Sequence, residues 1–174
     1  MDPPPGRTGA DDVAPSERPV GWLSGSCLLV RWDAFEAVGG FDERYFLNFE
    51  DSDWSLRASA GGVTLVVDTS VTIQHRVSAS FAGAYSYLGL FYYARNGLLF
   101  GRERVGTTPR QRYRFVRHHV LPVLTATWRK GDHRAAVRRG VVVAAAILGP
   151  LIFRRAGTSR PMLACALACV IDVA

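Results

Sequence analysis

The sequence predicts an α/β domain followed by a basic, all-helical extension, and three observations predict it. Residues 26–30 are a short apolar run without alternation, the pattern of a strand buried on both faces, and residues 63–67 are a β-branched run of strand type. Between and after them lie stretches with helical spacing, bounded by glycine, proline and hydroxyl residues. Charge is divided unevenly: residues 1–100 hold 7 Lys/Arg against 12 Asp/Glu, whereas residues 101–160 hold 14 against 2.

Taken in order, residues 1–19 are rich in Pro, Gly, Asp and Ser and have too little apolar surface to fold, so they are expected to form a disordered lead-in. Folded structure is expected to start near Val20. In the run 26–30, Cys27 reads as a small buried hydrophobe, and Gly25 just before it permits close backbone approach, either of substrate or simply in a turn. Residues 33–38 read as a short helix, and Gly39-Gly40 can then turn the chain sharply. A helix follows over roughly 50–60. Gly61-Gly62 ends it, 63–67 returns as a strand, and 69–74 gives another short strand leading to His75.

From Phe81 to Phe100, apolar and aromatic residues recur at helical spacing, the pattern of a helix with an aromatic core face. Thr107-Thr-Pro-Arg110 reads as a cap with proline in the first turn, opening a helix that runs to about Lys130 and that Pro122 should kink or divide. Gly131-Asp132 breaks the chain before a last helix from His133 into the apolar run 141–148. The domain boundaries expected are thus 1–19, 20–100 and 101–174.

The densest chemistry lies between Gly39 and Trp54, where two glycines and four aromatics accompany Asp42, Glu43, Glu50, Asp51 and Asp53. Phe41, Tyr45, Phe46 and Phe49 are expected to pack on the domain while the acids stay polar. Acids in a first helical turn favour the positive end of the helix dipole, and Asp53 and Arg57 are spaced i, i+4 for an ion pair. Capping and a surface ion pair account for part of this cluster, but not for its company of glycines and aromatics.

Gly39-Gly-Phe-Asp-Glu43, then Phe46, then Glu50-Asp51-x-Asp53, resembles the acceptor-side motif of family 2 glycosyltransferases of the GT-A fold. Trp22-Leu-Ser-Gly-Ser-Cys-Leu-Leu-Val-Arg31 is similar to the strand that precedes the motif there, and Val71-Thr-Ile-Gln-His75 to the strand that follows. The likeness is to bacterial rhamnosyl- and galactofuranosyl-type transferases and covers about residues 20–100. It implies a partial GT-A fold, the C-terminal half of a nucleotide-sugar transferase. It further implies an inverting transfer from a nucleoside-diphosphate sugar to a glycan or lipid-linked acceptor.

By residue-to-residue match the resemblance makes Asp51 the general base, since inversion needs a carboxylate to take the acceptor proton. Glu50 and Asp53 would shape the potential around it. Gly25, Gly40, Phe41, Asp42 and Glu43 are further candidates for substrate contact, and Arg95 and Asn96 match a helical Arg-Asn pair of the family. His75 matches the position of a metal ligand, and the complete enzyme is expected to use a divalent ion, magnesium or manganese. A nucleotide-binding half of roughly a hundred residues would be expected before Val20. Only the lead-in stands there, so the chain alone is expected to be inactive, or to serve as a non-catalytic interaction module.

The basic extension calls for an anionic partner. Arginines beside apolar faces fit the anionic inner surface of a membrane, through residues 101–160; nucleic acid is not expected, because no recognised nucleic-acid motif accompanies them. Three cysteines, none in a metal-type pair, suit a reducing, cytoplasmic setting. No signal peptide is visible, and the longest apolar run, 141–153 with Pro150 inside it, is too short to span a bilayer.

Overall fold

The computed structural model describes residues 16–74 and 86–155, with the side chains of 150–155 left aside. It is mixed α/β, mostly helical, with one small two-stranded sheet, and it divides into two compact units at His75/Arg76.

In the first unit, strand β1 (Glu17–Pro19) pairs antiparallel with β2 (Val66–Asp68), Glu17 opposite Asp68 and Pro19 opposite Val66. The last residues of the segment read as a lead-in are therefore part of the folded structure. The pairing continues past the strands, with Val20 N–H on the Leu65 carbonyl and Thr69 N–H on the Ser16 carbonyl.

Helices α1 (Trp32–Val38) and α2 (Glu50–Ala60) lie between the strands. Gly39, at φ +84°, makes the turn between them that its lack of a side chain allows. Trp54, Ala58 and Leu65 form the buried centre, with Val20, Leu23, Phe35, Val38 and Val63 packed around it. Trp54 is only 2% exposed, and its indole N–H donates to the Gly39 carbonyl at 3.0 Å. Its ring packs against Phe35 and Phe41, and Phe35 in turn stacks on Trp32.

The strand expected over residues 26–30 is a loop. A strand needs a ladder partner for its N–H and C=O groups, and the described residues offer none beside it. Cys27 is exposed rather than buried, and Leu29 is 98% exposed. Residues 71–74 carry no strand either, and His75 lies outside the described residues. Of the four aromatics expected to pack, Tyr45 does at 3% exposure, whereas Phe46 stands out at 66%.

The second unit is helical. Helix α3 (Tyr87–Phe100) is capped by Ser86, whose Oγ accepts the Gly89 N–H; residues 81–85 of the expected helix lie outside the described residues. A π-turn over Gly101–Val105 follows. Thr108 caps α4 (Pro109–Phe115) with a complete capping box, its hydroxyl on the Gln111 N–H and the Gln111 side chain on the Thr108 N–H, as the Thr-Pro signal predicts.

Pro122 does divide the next stretch. It has no N–H to donate one turn back, and a π-turn over Val116–Val120 takes up the missing bond before α5 (Leu121–Arg129). Gly131 at φ +84° breaks the chain, and Asp132 Oδ1 accepts the Ala135 N–H at the start of α6 (His133–Arg155). The helix runs through Pro150. Helices α3 and α5 both pack on α6.

Candidate active site

The acid pair sits at the entry of α2, and the backbone reaches it through two consecutive non-glycine residues in the left-handed region, Asn48 (φ 64°) and Phe49 (φ 72°). Asparagine tolerates this conformation, but a bulky aromatic there is strained, of order 1–3 kcal/mol, and such strain gathers at functional sites. Phe49 occupies the N-cap position without a side-chain cap bond, so Glu50 and Asp51 lead the helix with their carboxylates beside the N–H groups of its first turn.

Asp51 is held by the loop that replaces the expected strand. Its Oδ2 accepts the Gly25 N–H at 2.9 Å, and its Oδ1 accepts the Ser52 N–H at 2.6 Å and the Ser52 hydroxyl at 3.2 Å. A carboxylate oxygen has two lone pairs, so Oδ2 keeps one acceptor direction for a further donor. The Gly25 backbone lies close enough that a Cβ built there would sit 3.5 Å from Asp51 Cβ. Gly25 and Asp51, 26 residues apart, are thus brought together.

Beside them an open cleft of about 340 Å³ is lined by Gly25, Leu28, Val30, Trp32, Phe35 and Phe41. Its aromatic walls suit the apolar face of a sugar ring, and Asp51 is bonded to one of its lining residues, Gly25. Ser52, Trp32 and Phe35 were not singled out by sequence reasoning. Trp32 and Phe35 fall on one face of α1 at i, i+3, which was the available signal.

Glu50 is half-buried, and its Oε2 is buried with no hydrogen-bond partner among the described residues. Burial pushes its carboxyl above the ordinary value, and the adjacent Asp51 charge adds to the effect, against a hydrogen bond from its own backbone N–H. A carboxyl whose folded pKa is raised contributes stability in its protonated form, and that contribution is lost as pH rises through the raised value. Glu50→Gln should therefore raise the thermal midpoint of the chain near pH 8 and leave it unchanged near pH 3, where both states are protonated. Identical midpoints for the two proteins across that range would remove Glu50 from its strained position.

Two further candidates, Asp53 and Asp42, are each paired with an arginine of this unit. Asp53 is fully buried, not a surface acid: its Oδ2 pairs with Arg57 Nε at 2.8 Å. Arg57 reaches onward to the carbonyls of Val38 at 2.8 Å and Gly40 at 2.7 Å, which fixes the double-glycine turn to α2. The pair predicted from the i, i+4 spacing forms, but as a buried clamp. Asp42 is held bidentate by Arg44, with Nε at 2.9 Å from Oδ1 and Nη2 at 2.6 Å from Oδ2. Phe41 lines the cleft, and Glu43 is exposed.

Arg95 and Asn96 belong to the second unit, in α3, where Arg95 Nη1 donates to Asn96 Oδ1 at 2.5 Å and Asn96 is buried. His75 lies outside the described residues. Among the described residues, no three His, Cys, Asp or Glu side chains gather to hold a metal ion.

Comparison with known proteins gives relatives of one kind. Over 77 residues, 44% of this chain, it is 51% identical to N-acetylglucosaminyl-diphospho-decaprenol L-rhamnosyltransferase of Mycobacterium tuberculosis, and the match covers 25% of that protein. It is 48% identical over 50 residues, 29% of the chain, to rhamnosyltransferase WbbL of Escherichia coli, covering 19% of it. It is 38% identical over 61 residues, 34% of the chain, to the O-antigen biosynthesis protein RfbC of Myxococcus xanthus, covering 5% of it. No protein-family model and no solved structure matches. The chain spans about a quarter or less of the length of these relatives, and the resemblance to rhamnosyl-type transferases is borne out over that share.

Proposed function

We propose, from a chain whose curated relatives are rhamnosyltransferases, that the first unit is the acceptor side of an inverting sugar-transfer site of GT-A type, with Asp51 as its base. The observation that carries this is the fixing of Asp51 against the N–H of Gly25, a residue that lines an aromatic cleft.

An acceptor sugar lying on Trp32 and Phe41 would bring a hydroxyl to the open lone pair of Asp51 Oδ2. The hydroxyl oxygen attacks the anomeric carbon of a nucleoside-diphosphate sugar as its proton passes to Asp51. The new C–O bond forms on the face opposite the departing nucleoside diphosphate, which leaves with the electrons of the broken bond. Glu50, uncharged more readily than an ordinary carboxyl, limits repulsion beside Asp51 while the latter is ionised. Ser52 and Gly25 fix the base; Asp53 and Arg57 hold the helix that carries it.

The acceptor proposed is a glycan or lipid-linked saccharide, and the setting is the inner face of the cell membrane. A divalent ion at the donor diphosphate belongs to the proposal for the complete enzyme, with His75 as this chain's one ligand. No full ligand set gathers among the described residues, so no step is derived through the ion. The exposure of Leu29, Trp22 and Trp32 in the first unit also suits a second reading, a non-catalytic module that binds another protein.

Grafting tests the first reading. Residues 20–100, set in place of the matching segment of the mycobacterial relative, should leave rhamnose transfer to its lipid-linked acceptor within about tenfold of the parent, a barrier change near 1.4 kcal/mol. A folded chimera with no transfer would favour the binding module.

A further inference from the structure

We propose that the outward face of α6 docks the second unit on an anionic lipid surface. Helix α6 is apolar on two opposite faces. Ala136, Val142, Val143 and Ala146 are buried on one, toward α3 and α5. On the other, Val137, Val141, Ala144 and Leu148 succeed one another at steps of four, three and four residues, one stripe of a 3.6-residue helix. Their exposures, 60% for Val137, 48% for Val141 and 49% for Leu148, leave about half of each side chain uncovered by the described residues.

Arg134 and Arg138 are exposed on the same face, at its N-terminal end. A stripe of aliphatics headed by arginines is the pattern of an interfacial helix: the aliphatics enter the boundary of the acyl chains while the guanidinium groups stay at the phosphates.

Charge selects the occupant. Residues 101–155 hold thirteen Lys/Arg against two acidic residues, so a second copy docking through this same face would bring like charge to the stripe, and an anionic bilayer brings the opposite charge. A nucleic acid would engage the arginines and leave the aliphatics in water. Among the described residues no helix is long and apolar enough to cross a membrane, which leaves this face to lie along the surface.

Co-sedimentation of the whole 174-residue chain with phosphatidylcholine vesicles, with and without phosphatidylglycerol, tests this without any sugar, so its result is independent of the transfer reading. Binding is expected only with phosphatidylglycerol, weakening as salt rises past about 0.15 M. Arg134→Gln with Arg138→Gln should weaken it by roughly 25-fold, at about fivefold per charge. Val141→Asp with Leu148→Asp should weaken it at least about tenfold. If the aspartates unfold α6 by circular dichroism, Val141→Ser with Leu148→Ser carries the same test. Equal binding to both vesicles, unaltered binding by the stripe variants, a lipid-free dimer abolished by them, or preference for RNA over vesicles would each overturn the proposal.

Discussion

In a complete transferase carrying this segment, Asp51→Asn is expected to lower turnover by about a hundredfold or more, the usual scale for loss of a positioned general base. The substitution isolates proton transfer well. An asparagine amide is the size of the carboxylate, and its oxygen can still accept one of the N–H groups that Gly25 and Ser52 present. What it lacks is a basic oxygen beside Gly25, so donor affinity and the fold of α2 should hold while the chemical step slows. The check is single-turnover transfer by the grafted enzyme, with donor affinity measured separately. Turnover like that of the parent would transfer the role of base elsewhere, and Glu50 would be the next residue to replace. A fall in donor affinity matching the fall in turnover would instead mean that Asp51 holds substrate.

Much of this site was legible because its signals are local. Helix α2 spans Glu50–Ala60 as read, since acids crowd its first turn and Gly61-Gly62 follows it. The cap at Thr108, the interruption at Pro122 and the break at Gly131 were likewise written in one or two residues each. What failed was non-local. Residues 26–30 have the composition of a buried strand, but composition does not supply the neighbouring ladder, and without one the segment becomes the loop that presents Gly25 to Asp51. Strand β1 was missed for the opposite reason: Glu17-Arg18-Pro19 has no strand composition and is ordered only by its partner fifty residues away. Spacing also announced the Asp53–Arg57 pair but not its burial. Burial is a tertiary property, set by packing such as the Arg57 bonds to the carbonyls of Val38 and Gly40, and those contacts run between helices rather than along one.

That burial makes Arg57 the residue whose loss should most damage the first unit. Arg57→Ala takes the Arg57 guanidinium away from a fully buried Asp53 carboxylate and from two carbonyls of the turn, Val38 and Gly40. Breaking one side of a buried pair costs about 3–5 kcal/mol. Arg57 keeps 21% side-chain exposure, so water can reach part of the gap and the lower end, about 3 kcal/mol, is expected. That is a large fraction of the stability of an ordinary domain, 5–15 kcal/mol. Arg57→Lys should recover only part of it. One ammonium can pair with Asp53, but it lacks the planar fork that reaches Asp53 and both carbonyls together. Urea unfolding followed by tryptophan fluorescence reports the change directly, because Trp54 is buried against the same turn. An alanine variant within about 0.5 kcal/mol of the parent would match an exposed i, i+4 pair, and the clamp would then have no part in holding Asp51 at the cleft.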